Sequence, residues 1–386
     1  MPLLHPLAAI VGYLSLGVAA TYSTLTLIAV LVWQRRKPAE RSAQRPPLTV
    51  LKPLCGNEPG LYEHLRGFCR QDYPQYQIVF GVRDSADPAR LVAERLAAEF
   101  PTLPIDVVVN PELHGSNGKV SNLINMLDRA RHEILVIADS DAFVGPDYLA
   151  TVTAPLLDAR VGLVTCAYRG VPTRSVWSRL GAMYINEWYV PSILLAWLFG
   201  YEGYVSGQTM CLRHETLRAI GGLRTIADHL ADDHRLGELI RGLGLRIVLS
   251  PYLVGGEHHE QNMRSLTRHE LRWMRTIQVL RPASFRMIFL SFSLPLAVLG
   301  MVLAFVAGSP PVTVWALFGI AALIRLVLHF IHRLGRNPHV FSDLWLLPVR
   351  DLLLCCVWVR SFFSSRVIWR GIEFEVDAEG FMRRST

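Results

Sequence analysis

Residues 133–141 read EILVIADSD, an apolar run from Ile134 to Ala138 that stops on two carboxylates, Asp139 and Asp141, with a single serine between them. A short apolar run closed by polar residues reads as a strand buried on both faces. Five further runs share this character: LTVLKPL from Leu48, YQIVFGV from Tyr76, IDVVVN from Ile105, VGLVTCA from Val161 and LRIVLS from Leu245. Stretches of helical composition separate them, so the fold class is α/β, a mostly parallel sheet with helices on both faces. In such sheets ligands bind beyond the carboxyl ends of the strands, which is where Asp139 and Asp141 fall.

Two carboxylates delivered together by one strand make a hard-oxygen site for Mg2+ or Mn2+. Such a site shares its ion with phosphates, and a nucleoside diphosphate is the natural third party. Two other acidic positions end or follow such runs: Asp84 closes QIVFGVRD, and Asp232 with Asp233 opens the helical pattern ADDHRLGELI. Taken singly, Asp84 or Asp233 also suits a helix cap or a turn. Lys119, in HGSNGKVSN, stands at a helix start where backbone N–H groups and an ammonium both meet anionic oxygen. The chain contains no G-x-G-x-x-G and no G-x-x-x-x-G-K-[ST], which counts against dinucleotide and P-loop sites.

Outward from this core the chain turns apolar. Its 386 residues are 51% hydrophobic and only 18% charged, which excludes a disordered or collagenous protein. Residues 7–33 carry no charge and exceed the roughly 20 residues that span a bilayer, and the basic run Arg35, Arg36, Lys37, Arg41 and Arg45 follows directly. Basic residues in that position mark a cytoplasmic flank, so the net charge of +7 points to membrane topology and not to nucleic acid. Met287 to Ala307 and Val312 to Ile331 read as a spanning hairpin with both ends cytoplasmic, between Arg281 and Arg286 on one side and His332, Arg333 and Arg336 on the other. Arg325 and His329, near the end of the second span, suit snorkelling or an intrahelical partner.

Leu344 to Phe363 contains Arg350, Asp351 and Arg360 and is expected to be an interfacial or re-entrant helix, followed by a cytoplasmic tail that carries Arg366, Arg370, Arg383 and Arg384. Trp188 to Phe199 is too short to span. The expected organisation is an N-terminal transmembrane anchor (1–34), a cytoplasmic domain (45–285), a transmembrane hairpin (286–334), and the interfacial helix with its tail (343–386). The six cysteines form no C-x-x-C pair and suit a reducing compartment, and the thirteen histidines show no H-E-x-x-H spacing that would suggest zinc.

The order LKPLCGNEPGLYEHLRGFCRQDYPQY, Asp84, GKVSNLINML, ADSDAFVGPDYL, GQTMCLRHETLRAIGG, ADDHRLGELI and HELRWMR resembles the family 21 glycosyltransferases. These are ceramide glucosyltransferases and bacterial hopanoid-biosynthesis-associated glycosyltransferases. The resemblance implies a GT-A nucleotide-sugar-binding fold flanked by transmembrane helices. It implies that Asp84 meets the uridine, that Asp139 and Asp141 sit at the metal and diphosphate, and that Asp233 is the catalytic base with Asp232 its acidic neighbour. Arg272 and Trp273 fill the R-W of the family's last motif and join Lys119 on the donor side; His269 departs from the Gln or Arg expected three residues before Arg272.

The expected reaction is a single inverting displacement. A sugar, glucose or N-acetylglucosamine, moves from a UDP-sugar to the hydroxyl of a membrane lipid such as ceramide or a hopanoid. Mg2+ or Mn2+ and the cations Lys119 and Arg272 stabilise the departing UDP. Trp273 suits either stacking against the acceptor or packing. The expected location is the inner membrane of a bacterium, with the catalytic domain cytoplasmic. A processive polysaccharide synthase shares these motifs but needs more spans to line a channel; a non-catalytic UDP-binding membrane scaffold would have no use for the full acidic set.

Overall fold

The computed structural model describes residues 4–36, 44–333, 339–364, 366–369, 372–377 and 379–384. Lys37, Arg41, Arg336 and Arg370, expected as topology markers, lie outside the described residues. Contacts group the chain into two units: Arg36–Arg169 with Tyr201–Glu257 and Ile372–Thr386, and Met1–Arg35 with Gly170–Gly200 and His258–Gly371.

The first unit is built on the strands β1 (Leu48–Pro53), β2 (Tyr76–Val82), β3 (Ile105–Val109), β4 (Ile134–Ile137), β5 (Ala142–Phe143), β6 (Val161–Pro172), β7 (Met210–Arg213) and β8 (Arg246–His258). Their order in the sheet is β3-β2-β1-β4-β7-β6-β8-β5. β1 pairs in parallel with β2 and β4, and β2 with β3; β7 is antiparallel to β4 and β6, and β5 to β8. All six apolar runs of the sequence are strands. Side chains alternate between the two faces. Leu48, Val50, Ile78, Phe80 and Val136 enter one core with helix Leu61–Cys69 and helix Pro88–Glu99. Leu51, Val79, Leu135 and Ile137 enter a second core with helix Gly118–Leu127 and helix Asp232–Gly242. Each fully buried aliphatic side chain there contributes about 1.5–3 kcal/mol.

The second unit is helical and apolar. Among the described residues, His5–Gln34 and Pro311–Ile331 are each long and apolar enough to cross a membrane. Helix Leu4–Gln34 meets helix Ser293–Val306 backbone to backbone: a Cβ on Gly12 would lie 2.8 Å from Ala304 N, and one on Gly300 2.6 Å from Gly12 O. Small residues permit this approach between apolar helices. The segment expected as a span from Met287 carries a sharp bend: Pro282–Ser291 and Ser293–Val306 meet at 64° around Phe292. Pro295 explains the break, since it has no N–H for the carbonyl of Ser291 and fits only the first turn of a new helix.

Arg325 neither snorkels nor pairs within its helix. Its guanidinium reaches Asp351 (2.9 and 3.1 Å) and Glu187 (3.0 Å), and His329 Nδ1 lies 2.9 Å from Glu187. Arg350 likewise pairs with Glu270 at 2.8 Å. Arg350 and Asp351 of helix Leu346–Ser361 therefore have buried partners, as charges surrounded by apolar helices require.

Candidate active site

The strand order reverses between β1 and β4, with β2 and β3 continuing from β1 and β7 following β4. The carboxyl ends at such a switch point form a crevice. Asp139 stands one residue beyond Ala138, just past the end of β4. Helix Gly118–Leu127 begins beside it, capped by Asn117, whose Oδ1 accepts from the N–H groups of Lys119 (2.9 Å) and Val120 (3.1 Å). That cap fixes the first turn and sends the Lys119 side chain to the acidic residues.

Lys119 Nζ lies 2.7 Å from Asp139 Oδ1 and 3.0 Å from Asp232 Oδ2. Burial pulls its pKa down, but Asp139, Asp232 and Asp233 outweigh that and hold the ammonium well above its ordinary range. Asp232 and Asp233 open helix Asp232–Gly242, where carboxylates complement the helix dipole. Asp233 Oδ2 accepts from Gly207 N at 2.9 Å and its Oδ1 from His234 N at 2.7 Å. Burial, then the neighbouring Asp232 carboxylate, pushes Asp233 up to about 6, against the pull of Lys119 and the His234 N–H.

The turn before β7 ties these acids together. Gly207 O accepts from Asp139 N (3.1 Å), and Gln208 Nε2 donates to Asp141 Oδ1 (3.0 Å). A Cβ on Gly207 would sit 2.7 Å from Asp139 Oδ2 and 2.9 Å from Lys119 Nζ, so any side chain there would displace that ion pair. Beneath them, Lys52 is fully buried in β1, donates from Nζ to the Asp139 carbonyl and lies 4.0 Å over the Phe68 ring. Burial lowers its pKa to about 7 despite Asp141 and Asp139. Asp141 is followed by β5, where Phe143 stacks on His64 at 5.3 Å and fits against Gly255, whose Cβ would strike its ring at 2.1 Å.

The structure thus brings Lys119, Asp139, Asp232 and Asp233 into one hydrogen-bonded and ion-paired cluster, to which Asp141 is joined through Gln208. Asp84 follows β2 on the same edge; it is exposed and its Oδ1 accepts from Ala86 N at 2.9 Å, in the turn its position also suited. Arg272 and Trp273 belong to the helical unit, on helix Met263–Leu280. Trp273 there packs on His269 (4.1 Å) and Tyr184 (5.4 Å), with the Arg272 guanidinium 5.9 Å from its ring centre. Sequence reasoning passed over Lys52, Gly207 and Gln208. Lys52 left a readable signal, a charge inside an otherwise apolar strand, since lysine is almost never fully buried unless paired.

The donors here are all oxygen, and four carboxylates outnumber the two lysines, so the cluster fits Mg2+ or Mn2+ better than a softer ion. With Asp139 Oδ1 engaged by Lys119, Asp141 and the other oxygen of Asp139 are the residues that would hold it.

Similarity to known proteins extends along most of the chain. The sequence model of Glycosyl transferase family 21 matches residues 12–382. Ceramide glucosyltransferase 1 of Caenorhabditis elegans is 21% identical over 369 residues, 92% of this chain and 77% of that protein. A ceramide glucosyltransferase of Gibberella zeae is 28% identical over 169 residues, 40% of this chain and 32% of its own length. The mannosyltransferase of Pyrobaculum calidifontis, solved in complex with GDP-Man and Mn2+, shares the fold with a TM-score of 0.56 at 21% identity, over 92% of this chain and 99% of the other.

Proposed function

The chain belongs to glycosyl transferase family 21, and from that premise we propose that it moves a single sugar from a UDP-sugar to the hydroxyl of a membrane lipid, inverting the anomeric centre. The observation that carries this reading is the lysine held between two aspartates, Lys119 to Asp139 at 2.7 Å and to Asp232 at 3.0 Å, at the switch point of the sheet. A fixed cation beside a surplus of carboxylates suits a diphosphate leaving group on one side and a proton acceptor on the other.

Asp233 takes the acceptor proton. As the acceptor oxygen bonds to the anomeric carbon, the bond from that carbon to the UDP oxygen breaks and UDP leaves. Asp232 stays paired to Lys119, and its charge helps to make Asp233 a better proton acceptor. Lys119 places its charge where negative charge develops on UDP. A divalent cation held by Asp141 and Asp139, when bound, supplies further positive charge to the diphosphate. Asp84 is assigned to the uridine, and Arg272 and Trp273 to the donor, on the sequence pattern alone.

The lipid acceptor is supported by the two apolar helices and by the relatives, which are named as ceramide glucosyltransferases. Glucose or N-acetylglucosamine as the sugar, ceramide or a hopanoid as the lipid, and a cytoplasmic catalytic unit at a bacterial inner membrane complete the reading. The test is a panel: detergent-purified full chain with UDP-glucose, UDP-galactose or UDP-N-acetylglucosamine against ceramide and a hopanoid polyol, with products weighed by mass spectrometry. One added sugar on a lipid is expected; a polymer, or UDP binding without any product, would favour the synthase or scaffold instead.

A further inference from the structure

In the helical unit, His258 ends β8, Glu260 follows two residues later, and His269 lies on helix Met263–Leu280. Glu260 Oε1 is 3.3 Å from His258 Nδ1 and 2.8 Å from His269 Nδ1, and all three residues offer a ligand atom within 4.8 Å of the others. A tetrahedral ion bound at about 2.0–2.1 Å needs ligand atoms roughly 3.4 Å apart, close to the 3.3 Å between Glu260 and His258 and wider than the 2.8 Å between Glu260 and His269.

We propose that His258, Glu260 and His269 form a binding site for a transition-metal dication of the Zn2+ type, one that shares no residue with the acidic cluster. Two imidazoles and one carboxylate are borderline donors that select Zn2+ over Mg2+ or Mn2+. A second observation points to a ligand. Glu260 is only 8% exposed, yet its Oε2 has no hydrogen-bond partner. That oxygen and His258 Nδ1 both face Gly181, whose Cβ would lie 2.9 Å from each. Hydrogen bonding between the three side chains alone uses Oε1 twice and leaves Oε2 bare, which is costly for a buried carboxylate; an ion between them uses it.

The surroundings are built to hold the three side chains still. Thr173 donates from N (3.3 Å) and Oγ1 (2.9 Å) to the His258 carbonyl, and Ser175 Oγ donates to the Glu260 carbonyl. Trp273 packs on His269 at 4.1 Å, and Asn262 and Ser265 form a capping box that anchors the start of its helix. Within the helical unit, the bound ion would tie His258 and Glu260 to the helix that carries Arg272 and Trp273. The inference does not depend on the sugar-transfer reading.

The experiment uses the full chain in detergent, stripped with chelator, exposed to ZnSO4 alone, desalted, and assayed for zinc by mass spectrometry. The wild type is expected to retain about one zinc per chain, His269→Ala and Glu260→Gln to lose it, and Asp141→Ala to keep it. No retained zinc in the wild type, equal retention in His269→Ala and Glu260→Gln, or loss in Asp141→Ala would each overturn the proposal. If the histidine variant fails to fold, CoCl2 added to the stripped wild type decides: the intense visible absorption of four-coordinate cobalt is expected, and the weak spectrum of an all-oxygen octahedral ion contradicts it.

Discussion

The backbone N–H of Gly207 donates to Asp233 Oδ2 at 2.9 Å, while the carbonyl of the same glycine accepts from Asp139 N at 3.1 Å. One peptide turn thereby sets the distance between the aspartate that follows β4 and the aspartate that opens helix Asp232–Gly242. On the proposed reading this turn sets the spacing of donor side and acceptor side, which is the kind of preorganisation that transfer between two substrates demands.

Gly207→Ala should therefore disable the site without unfolding the sheet. Its Cβ would arrive 2.7 Å from Asp139 Oδ2 and 2.9 Å from Lys119 Nζ. A loss of at least about tenfold in UDP affinity by calorimetry is expected, roughly 1.4 kcal/mol, with an unchanged circular dichroism spectrum. Wild-type UDP affinity would show that the turn is not part of the site.

Because Asp233 is raised to about 6, mainly by burial and then by Asp232, the rate should depend on pH in that region. The base must be ionised to accept a proton, so lowering the pH removes the active form. Activity should be level above about pH 7 and fall roughly tenfold per unit below about 6. A profile flat from pH 7 to 5 would remove Asp233 from the role.

Lys52 makes a prediction about stability. Its folded pKa of about 7 lies below the ordinary lysine value of about 10.4, so between these limits the unfolded chain binds the extra proton. Stability must then rise with pH through that window and lose this contribution as pH falls toward 7. Melting temperatures of wild type and Lys52→Met, measured from pH 7 to 10, should differ in slope, with the wild type gaining more. Parallel curves would mean that Lys52 is charged throughout.

Metal dependence is the fourth expectation. Chelation with EDTA should abolish transfer, added Mn2+ or Mg2+ should restore it, and Asp141→Ala should need at least about tenfold more metal, since a cation shared with phosphates has few protein ligands to spare. Full activity of Asp141→Ala in EDTA would count against the cation site.

Much of the fold was legible because buried strands advertise themselves. All six apolar runs are strands, and EILVIADSD carries Asp139 to the crevice. β5 and β7 were not, since Ala142–Phe143 has only two residues and Met210–Arg213 sits between polar Gln208-Thr209 and its own Arg213, which breaks up the apolar run. Carboxylates were easy to find, but their organisers were not: a glycine chosen for lack of a side chain and a glutamine on Asp141 carry no chemistry of their own. In the helices, Arg325 and Arg350 looked like isolated charges because their partners Glu187, Asp351 and Glu270 come from elements far apart in the chain, a pairing that one-dimensional periodicity does not contain. The grouping of Gly170–Gly200 and His258–Leu280 with the apolar helices has the same origin.

The most direct measurement is turnover of Asp233→Asn against wild type, with a UDP-sugar donor and a lipid alcohol and the glycolipid quantified by mass. Asparagine keeps the shape and can still hydrogen-bond to Gly207 N–H, but accepts no proton. A rate lower by roughly 10² to 10⁴ is expected, with the wild-type product β-linked from an α-linked donor. Turnover of Asp233→Asn near the wild-type rate would contradict the account.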